Sequence, residues 1–386
     1  MVSIWERESY YPPTDVLIVG GCLMGLWTAY ELLKASPNLK VAICEALPVP
    51  ALASTRNAGF ACFGSPGELW ADQQAMGDRM WDIVEMRYRG IQKILQVLGA
   101  SNIGFERLGG FELFGQSVEW NGSGLREKLE ILNNGFLRIT GVKQVYSDQT
   151  QTMGTLGIRG FRAMAGNSIE GGLHSGRMVF ALQGLVQQAG AIYLTGHEAL
   201  STSRHGNGLA VALRTRQAET VEMHTRAVIW ATNASLASLQ AEIPKVHPAR
   251  GQVLVSPPVE GLRLRGTFHF KEGFYYFRNL GNRLLIGGAR NRALAQEETL
   301  LDRPTPEIRG YLEEFIRCHL PQVEPVLGQK GWQHWAGIMG MTGDKLPFVK
   351  ATGEYEWAVL ACNGMGVALT PMVAGEVAWL VGSTLQ

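Results

Sequence analysis

A strand, a glycine turn, a helix and a second strand follow one another near the amino terminus, and this order constrains the fold more than any other feature. Residues 15–19 are an apolar run rich in β-branched side chains, and they end at Gly20 and Gly21. Apolar residues then recur at helical spacing over residues 23–33, and residues 41–44 form a second run of the buried-strand type. A βαβ crossover needs about 30 residues, so the sequence predicts a parallel sheet covered by helices.

The turn of this unit has the pattern of a nucleotide-binding loop. It reads Gly20-Gly21-Cys22-Leu23-Met24-Gly25, and Glu45 ends the second strand. Such a turn lets backbone N–H groups and a helix N-terminus meet a pyrophosphate, while the acidic residue accepts hydrogen bonds from the adenosine ribose. Cys22 departs from the pattern because it occupies the place of the usual middle glycine. The alternative is a strand–helix turn without a ligand, and the paired strands together with Glu45 favour nucleotide binding.

Composition limits the classes of function. The chain has 386 residues, of which 46% are hydrophobic and 18% charged, so two globular domains are expected and disorder is not. The formal net charge of +1 provides no field for nucleic acid, which leaves a small molecule as the expected partner. Five scattered cysteines predict a reducing compartment and no metal cluster. Residues 1–13 contain no signal-type apolar segment and no apolar run reaches the length of a membrane span, so we expect a cytoplasmic protein.

Two kinds of segment alternate along the chain. Runs of the buried parallel type recur at residues 191–194, 227–231 and 357–361, whereas residues 251–290 carry strands and turn signals typical of antiparallel sheet. The predicted fold class is therefore α/β, with a Rossmann-like domain interleaved with an antiparallel-sheet α+β domain. The predicted bounds are 1–82, 146–242 and 327–386 for the Rossmann-like domain, and 83–145 and 243–326 for the second domain.

Five blocks in the same order make the chain resemble the D-amino-acid oxidase superfamily, in the branch of glycine oxidase, sarcosine oxidase and γ-glutamylputrescine oxidoreductase. The blocks are residues 15–45, the loop Ser54-Thr55-Arg56-Asn57-Ala58-Gly59-Phe60, residues 171–178, residues 248–252 with 284–288, and residues 335–347 with 363–368. In the third block the family's usual proline is Ser175 or Gly176 here. The resemblance implies an FAD-binding domain of the glutathione-reductase type and a second, substrate-binding domain.

The resemblance also implies the residues of the site. The expected cofactor-binding residues are Gly20, Gly21, Cys22, Met24, Gly25, Glu45, Ala46, Thr55, Arg56, Asn57, Ala58, Gly59, Phe60, Ala199, Thr232, Gly337, Asp344, Gly364, Met365, Gly366, Val367 and Ala368. The expected substrate-binding residues are Tyr276, Arg278 and Met339. Solvated loop positions for Arg56 and Asn57, and sheet packing for Tyr276 and Arg278, are the alternatives. No residue is assigned as catalytic, since a flavin carries the reactive centre itself.

The function that the resemblance implies is FAD-dependent oxidation of a C–N bond in a small amine or amino acid, by hydride transfer to flavin, giving an imine that hydrolyses. The alternatives are an NAD(P)-dependent dehydrogenase on the same fold and a flavin-binding protein without turnover, which Cys22 would favour.

Three departures from the family pattern refine this expectation. Sarcosine oxidases attach FAD through a cysteine that matches Gly337 here, so the FAD is expected to be non-covalent. Their oxygen-activating lysine matches Leu285, which favours slow use of oxygen. Two family arginines that hold a substrate carboxylate match Met339 and Gly364. We therefore expect an amine whose reacting end carries no carboxylate, unless Arg278 or Arg290 binds one.

Overall fold

The computed structural model describes residues 2–116, 118–239, 241–361 and 363–385. Its helices are α1 Ile4–Tyr10, α2 Leu23–Ala35, α3 Ala53–Arg56, α4 Pro66–Met76, α5 Arg79–Leu98, α6 Ser123–Thr140, α7 Ser175–Gln188, α8 Leu294–Glu297, α9 Pro306–His319 and α10 Gly366–Leu385. Its strands are β1 Thr14–Val19, β2 Val41–Glu45, β3 Phe60–Ala61, β4 Gly110–Phe114, β5 Tyr146–Asp148, β6 Ala163–Asn167, β7 Gly171–Gly172, β8 Ile192–Thr195, β9 His197–His205, β10 Gly208–Thr215, β11 Thr220–Trp230, β12 His247–Val255, β13 Thr267–Phe270, β14 Tyr275–Leu280, β15 Arg283–Gly288, β16 Gln333–Met341, β17 Phe348–Gly353 and β18 Glu356–Leu360.

The chain divides into two compact units. Unit 1 consists of Met1–Thr55, Gly176–Ala249 and Met339–Gln386, and it contains a sheet in the order β17-β18-β11-β1-β2-β8. β1 pairs in parallel with both β2 and β11, and its middle residues are fully buried, as expected for an apolar strand inside a parallel sheet. The predicted βαβ unit is therefore present, with α2 as its crossover helix.

A three-stranded antiparallel arm extends the sheet of unit 1. β11 is long enough to pair with β1 along its carboxyl-terminal half and with β10 along its amino-terminal half, and β10 then pairs with β9. Leu209, Val211, Leu213 and Met223 from this arm are buried in one cluster with Leu17 of the parallel sheet. Within this arm, the sequence predicts a strand only over residues 227–231, at the end of β11. The residues before it alternate between apolar and polar side chains, so they lack the continuous apolar run of a buried strand.

Unit 2 consists of Arg56–Ser175 and Arg250–Ile338. Its large sheet has the order β16-β12-β15-β14-β13-β4-β6-β5, and from β12 to β5 its neighbours are antiparallel except that β4 and β13 are parallel. Phe268, Phe277 and Ile286 project from one face of this sheet into a fully buried core with Leu312 of α9. The opposite face carries the polar residues discussed below.

The units are interleaved in sequence, but their bounds differ from the predicted domain bounds. Residues 56–82, 146–175 and 327–338, predicted in the cofactor domain, belong to unit 2, and residues 243–249, predicted in the second domain, belong to unit 1. The reason is strand pairing, since β3 pairs with β7 inside unit 2 while β5 and β6 join the large sheet through β4. These pairings join segments far apart in sequence, so local pattern carries no sign of them.

Three helices bear on the candidate site and on the membrane question. α4 and α5 are separated at Gly77, whose φ of +62° ends the first of them. The carboxy-terminal helix begins at Gly366. Among the described residues this helix, α10, is long and apolar enough to cross a membrane by length and composition, contrary to the expectation from the sequence. Half of its apolar window is buried, however, and it packs on α2, which is the pattern of a core helix.

Candidate FAD site and substrate face

The three glycines of the unit 1 turn lie so close to neighbouring atoms that none of them could carry a side chain. Gly20 has a φ of +113°, and a Cβ atom there would lie 2.6 Å from the carbonyl oxygen of Ala231. A Cβ on Gly25 would lie 1.9 Å from the oxygen of Gly20, so this glycine lets α2 approach β1. A Cβ on Gly21 would lie 2.4 Å from the hydroxyl of Tyr193, which donates a hydrogen bond to the Gly21 carbonyl at 2.6 Å.

Glu45 is placed beside this turn as the sequence predicts. Its buried carboxylate accepts hydrogen bonds from the N–H of Gly21 at 2.9 Å and from the N–H of Leu47 at 2.9 Å. A carboxylate offers about four acceptor positions, so two remain for ribose hydroxyls. Glu45 therefore fixes the glycine turn and keeps the acceptor capacity that an adenosine ribose requires.

Cys22 occupies the N-cap position of α2. Its φ is −96°, so the backbone there does not require glycine, and its thiol donates a hydrogen bond to the carbonyl of Ala51 at 3.1 Å. Burial raises the pKa of the Cys22 thiol to about 12, and the negative charge of Glu45 adds to this effect. The side chain is thus a neutral group committed to the chain after β2.

The start of α2 fits a pyrophosphate. The N–H of Leu23 donates to the hydroxyl of Ser54 at 3.2 Å, while the N–H groups of Met24 and Gly25 belong to the first helical turn, where a helix has no internal acceptor. Such N–H groups and the positive end of the helix dipole favour an anion. Together with Glu45, these backbone groups are those that would hold the pyrophosphate and ribose of a dinucleotide.

A second glycine turn of unit 1 joins β18 to α10. Asn363 is buried, and its side-chain oxygen accepts from the N–H of Thr342 at 2.7 Å while its amide donates to the carbonyl of Leu346 at 3.0 Å. Gly364 follows with a φ of +82°. Asp344 is exposed, and its carboxylate accepts from the N–H of Leu346 at 3.0 Å. Asn363 was not among the predicted site residues, although a polar residue between a buried strand and a glycine turn could have indicated it.

The predicted flavin loop, residues 54–60, makes many contacts inside unit 2. The guanidinium of Arg56 pairs with Asp302 at 2.6 Å and donates to the carbonyl of Ala336 at 3.1 Å. The side-chain oxygen of Asn57 accepts from the N–H of Gly59 at 2.8 Å and from the hydroxyl of Ser175 at 2.6 Å. Both side chains therefore fix the shape of the loop, and cofactor contacts for them remain a prediction.

Arg278 is buried in unit 2 and braces two segments. Its guanidinium donates to the carbonyls of Gly59 at 2.7 Å, Leu173 at 3.1 Å and Asn279 at 3.1 Å. It lies directly on Gly172, where a Cβ atom would be 2.1 Å from the central guanidinium carbon. Burial lowers the pKa of Arg278. These contacts use three of the five N–H donors of the guanidinium, so two are left for a substrate. A substrate contact of Arg278 stays a prediction.

Tyr276 lies in an aromatic cluster on the polar face of the unit 2 sheet. The ring of Phe60 contacts the rings of both His269 and Tyr276, edge to face, with centroids 5.1 and 6.0 Å apart. Burial raises the pKa of the Tyr276 hydroxyl to about 12. Phe60 and Tyr276 were predicted to bind different ligands and His269 was not predicted at all, because only the strand pairing brings these three residues together.

The other predicted residues lie at several places. Ala199 faces Leu213 in the antiparallel arm, and Thr232 follows Ala231 beside the first glycine turn. Ala58 packs in unit 2 on a cluster with Val253, Val255 and Leu285. The remaining residues are placed as follows: Ala46 is exposed after β2, Thr55 half-buried in α3, Gly337 buried and Met339 half-buried in β16, Met365 half-buried before α10, and Gly366, half-buried Val367 and buried Ala368 in its first turn. Their contacts with a ligand stay predictions.

These features define a dinucleotide-binding oxidoreductase of the α/β class. The family of FAD dependent oxidoreductases called DAO matches residues 15–380, and the chain belongs to this family. A search of curated protein sequences finds no match. The protein is thus an FAD-dependent oxidoreductase, and when bound the flavin of FAD accepts a hydride from the substrate.

Solved structures share the fold over nearly the whole chain. L-proline dehydrogenase from P. horikoshii matches with a TM-score of 0.74 and 17% identity, covering 97% of this chain and 94% of that one. Glycine oxidase from Geobacillus kaustophilus has a TM-score of 0.74 and 22% identity, covering 96% and 95%. L-α-glycerophosphate oxidase from Mycoplasma pneumoniae, solved with FAD bound, has a TM-score of 0.73 and 18% identity, covering 96% and 95%.

Proposed function

We propose that this enzyme oxidises a C–N bond of a small amine, with FAD as the hydride acceptor, and releases an imine that water hydrolyses. Family membership supports the redox chemistry, and two structural neighbours, a proline dehydrogenase and a glycine oxidase, act on substrates that contain a C–N bond. The observation that favours a neutral amine as the substrate is the aromatic cluster of Phe60, His269 and Tyr276, whose side chains are uncharged near neutral pH.

The amine must bind in its neutral form, because hydride leaves the carbon as the nitrogen lone pair forms the C=N bond. Arg290 favours that form. It is half-buried, its guanidinium lies 5.9 Å from the ring centre of Phe274, and it is close enough to Tyr276 to stabilise the phenolate electrostatically. A cation at this place disfavours an ammonium ion nearby. The same charge would attract a carboxylate, so Arg290 is also the residue that would bind one.

The proposed substrate is an amine without a carboxylate at its reacting end. Its support is the pair Met339 and Gly364 in place of the two arginines of glycine-oxidase-like relatives, together with the commitment of Arg278 to backbone carbonyls.

Four free cysteines among the described residues, Cys22, Cys44, Cys62 and Cys318, support a reducing and hence cytoplasmic location.

Anaerobic flavin reduction tests the proposal. The purified holoenzyme is mixed without oxygen with primary and secondary amines, with amino acids, and with L-α-glycerophosphate, and the loss of oxidised-flavin absorbance is followed. We expect fast bleaching by putrescine-like or other uncharged-end amines. Faster reduction by glycerophosphate would show C–O oxidation, and preference for glycine, sarcosine or D-alanine would contradict the proposed substrate. Stoichiometric FAD without reduction by any compound would support the non-catalytic alternative, and reduction of added NAD(P)⁺ in FAD-free protein the dehydrogenase one.

A further inference from the structure

His269 of β13 is a buried histidine whose ring has no hydrogen bond. The residue is 8% exposed, and neither Nδ1 nor Nε2 has a partner among the residues that the structure describes. A neutral imidazole carries one N–H donor and one acceptor nitrogen, and buried polar groups in proteins are nearly always satisfied. Leaving both hydrogen bonds unmade is costly, so the two ring nitrogens of His269 are available to a bound group that supplies a donor or an acceptor.

The surroundings of His269 place it on one side of the unit 2 sheet with Tyr276. In the strand register His269 lies directly opposite Tyr276 of β14 and opposite Glu112 of β4, and directly opposed residues share a face. Phe60 contacts His269 and Tyr276 from the same side. The three rings therefore form one surface, which includes two of the predicted ligand-binding residues, Phe60 and Tyr276.

The hairpin turn beside His269 is conformationally unusual. Lys271, Glu272 and Gly273 all have positive φ, of +53°, +55° and +82°. A Cβ atom on Gly273 would lie 3.6 Å from Nδ1 of His269. Left-handed backbone at two successive non-glycine residues is costly and tends to be kept where it serves a site. The turn thus covers one nitrogen of the imidazole closely without bonding to it.

This surface is electrically neutral near pH 7. Burial lowers the pKa of His269 to about 4, and burial raises the pKa of the Glu112 carboxyl to about 8. Among neighbouring charges, Glu68 is paired with Arg87 at 3.0 Å, and Arg278 is bonded to carbonyls. The imidazole itself is neutral and set among aromatic rings, so it suits an uncharged hydrogen-bonding group, whereas an anion would be drawn to Arg290 near Tyr276.

We propose that the imidazole of His269 binds the substrate by accepting a hydrogen bond from the N–H of the amine, and so fixes the position of the nitrogen. The inference rests on the proposed function and deepens it. In the reaction the C–H bond breaks, the hydrogen passes with both bonding electrons to the flavin, and the nitrogen lone pair forms the C=N bond of an iminium ion that keeps its N–H. The iminium loses this proton to water when it is released as the imine, so His269 takes up no proton in the reaction. Its role is to bind and orient the N–H.

The test replaces His269 by Phe, which keeps an aromatic ring and removes both nitrogens. If the imidazole binds the amine, the His269→Phe holoenzyme needs about tenfold more amine for half-maximal anaerobic flavin reduction, because one buried hydrogen bond is lost. Its thermal midpoint stays equal or rises, since two unsatisfied polar atoms leave the interior. His269→Asn, which restores an acceptor, recovers part of the loss. His319→Phe is the matched control in unit 2, because the His319 ring already bonds to the carbonyl of Arg159 at 3.0 Å.

A change in half-saturation below twofold, or equal changes in His269→Phe and His319→Phe, would overturn the proposal. A fall of thermal midpoint in His269→Phe with unchanged affinity would make the histidine structural. The NMR signal of the His269 ring is a second readout, which serves if the His269→Phe variant does not fold or if no amine reduces the flavin. The chain has eight histidines, so the ring carbon signal of His269 in ¹³C-labelled holoenzyme is assigned by its loss in His269→Phe or, if that variant fails to fold, in His269→Asn.

A shift of this signal on adding amine without flavin reduction would support the His269 site while contradicting the proposed oxidation. Flavin reduction by amines with an unshifted His269 signal would keep the proposed function and sink the inference. If amines neither shift the His269 signal nor reduce the flavin, both the His269 site and the proposed function are rejected.

Discussion

Cys22 shows how a single residue can depart from a motif without blocking it. The usual glycine at this place lets the backbone approach phosphate, yet here the φ is −96° and the thiol turns to the carbonyl of Ala51. Gly20, Gly21 and Gly25 are the positions where a side chain would collide with backbone or with Tyr193. The three glycines therefore stand where a side chain would collide with its neighbours, whereas the backbone at position 22 has a conformation that any residue can adopt.

The state of this thiol leads to the first prediction. Because burial raises the pKa of Cys22 to about 12, its thiolate is scarce at pH 8, and iodoacetamide should modify it at least tenfold more slowly than the exposed Cys318. Peptide mass spectrometry after timed alkylation measures both rates in one sample. Alkylation of Cys22 as fast as of Cys318 would show that the thiol is accessible and ionised, contrary to its geometry.

Glu45 gives the second prediction. Glu45→Gln keeps an oxygen for the N–H of Gly21 but removes the charge and one of the acceptors available to ribose hydroxyls, so FAD should bind about tenfold more weakly. Titration of apoprotein with FAD, followed by flavin fluorescence, gives the Kd. Glu8→Gln in the exposed helix α1 is the control, and we expect it to bind FAD as the unchanged protein does. Equal Kd values in the two variants would remove Glu45 from the FAD site.

At the scale of elements, the strands of unit 2 are held by a buried ion pair that joins β12 to α8. The guanidinium of Arg250 bonds to both carboxylate oxygens of Glu297, at 2.7 and 3.0 Å, and the amide of Gln252 adds a third bond at 2.8 Å. Arg250 and Gln252 were noted in the sequence as a family block. Their partner Glu297 was not, since it lies 45 residues beyond Gln252 in a helix of four residues.

Breaking this pair is the third prediction. Arg250→Met leaves the carboxylate of Glu297 buried and uncompensated, which should lower the free energy of unfolding by about 3–5 kcal/mol. The double variant Arg250→Met, Glu297→Met removes both charges and should recover much of the loss. Urea unfolding of the holoenzyme measures both. A control is Arg292→Met, whose exposed pair with Glu314 should contribute about 1 kcal/mol or less. Equal effects at positions 250 and 292 would contradict the argument.

Local elements could be predicted, and long-range pairings could not. The strand β1, the turn and α2 lie within about 20 residues, and their apolar spacing and glycines determine them directly. In contrast, β4 pairs with β13, which follows more than 150 residues later in the sequence, and with β6. His269 entered no prediction for the same reason, since its unbonded ring is visible only once β13 lies between β4 and β14. The residues proposed to bind substrate, His269 and Tyr276, come from such pairings.

At the scale of the whole molecule, the family relation predicts FAD without fixing how it is attached. Gly337 is buried in β16 and has no side chain, and Cys318 is exposed at the end of α9. Cys362 lies outside the described residues. We expect acid precipitation to release all the FAD into the supernatant. Yellow colour that stays with the precipitated protein, and a flavin-peptide mass after digestion, would show a covalent bond.

The last prediction concerns stability against pH. Two carboxyls of unit 2 are buried, and burial raises the pKa of Glu112 to about 8 and that of Glu170 to about 7, from a usual value of 4.5. Each accepts a hydrogen bond from the loop before α4 or from its first turn, Glu112 from the N–H of Gly67 and Glu170 from the N–H of Phe63. In the folded protein they hold their protons at pH values where the unfolded chain has lost them.

The sign follows from this difference. Between pH 4.5 and about 8 the folded state binds more protons than the unfolded state, so the free energy of unfolding falls as pH rises through this range. Glu112→Gln imitates the protonated carboxyl and should flatten the decline, leaving stability at pH 5 nearly unchanged and raising it at pH 9. The exposed Glu130→Gln on α6 should follow the unchanged protein at every pH. Urea unfolding at pH 5, 7 and 9 measures the three profiles. A Glu112→Gln profile parallel to that of Glu130→Gln would mean that Glu112 ionises in the folded protein as easily as in the unfolded chain.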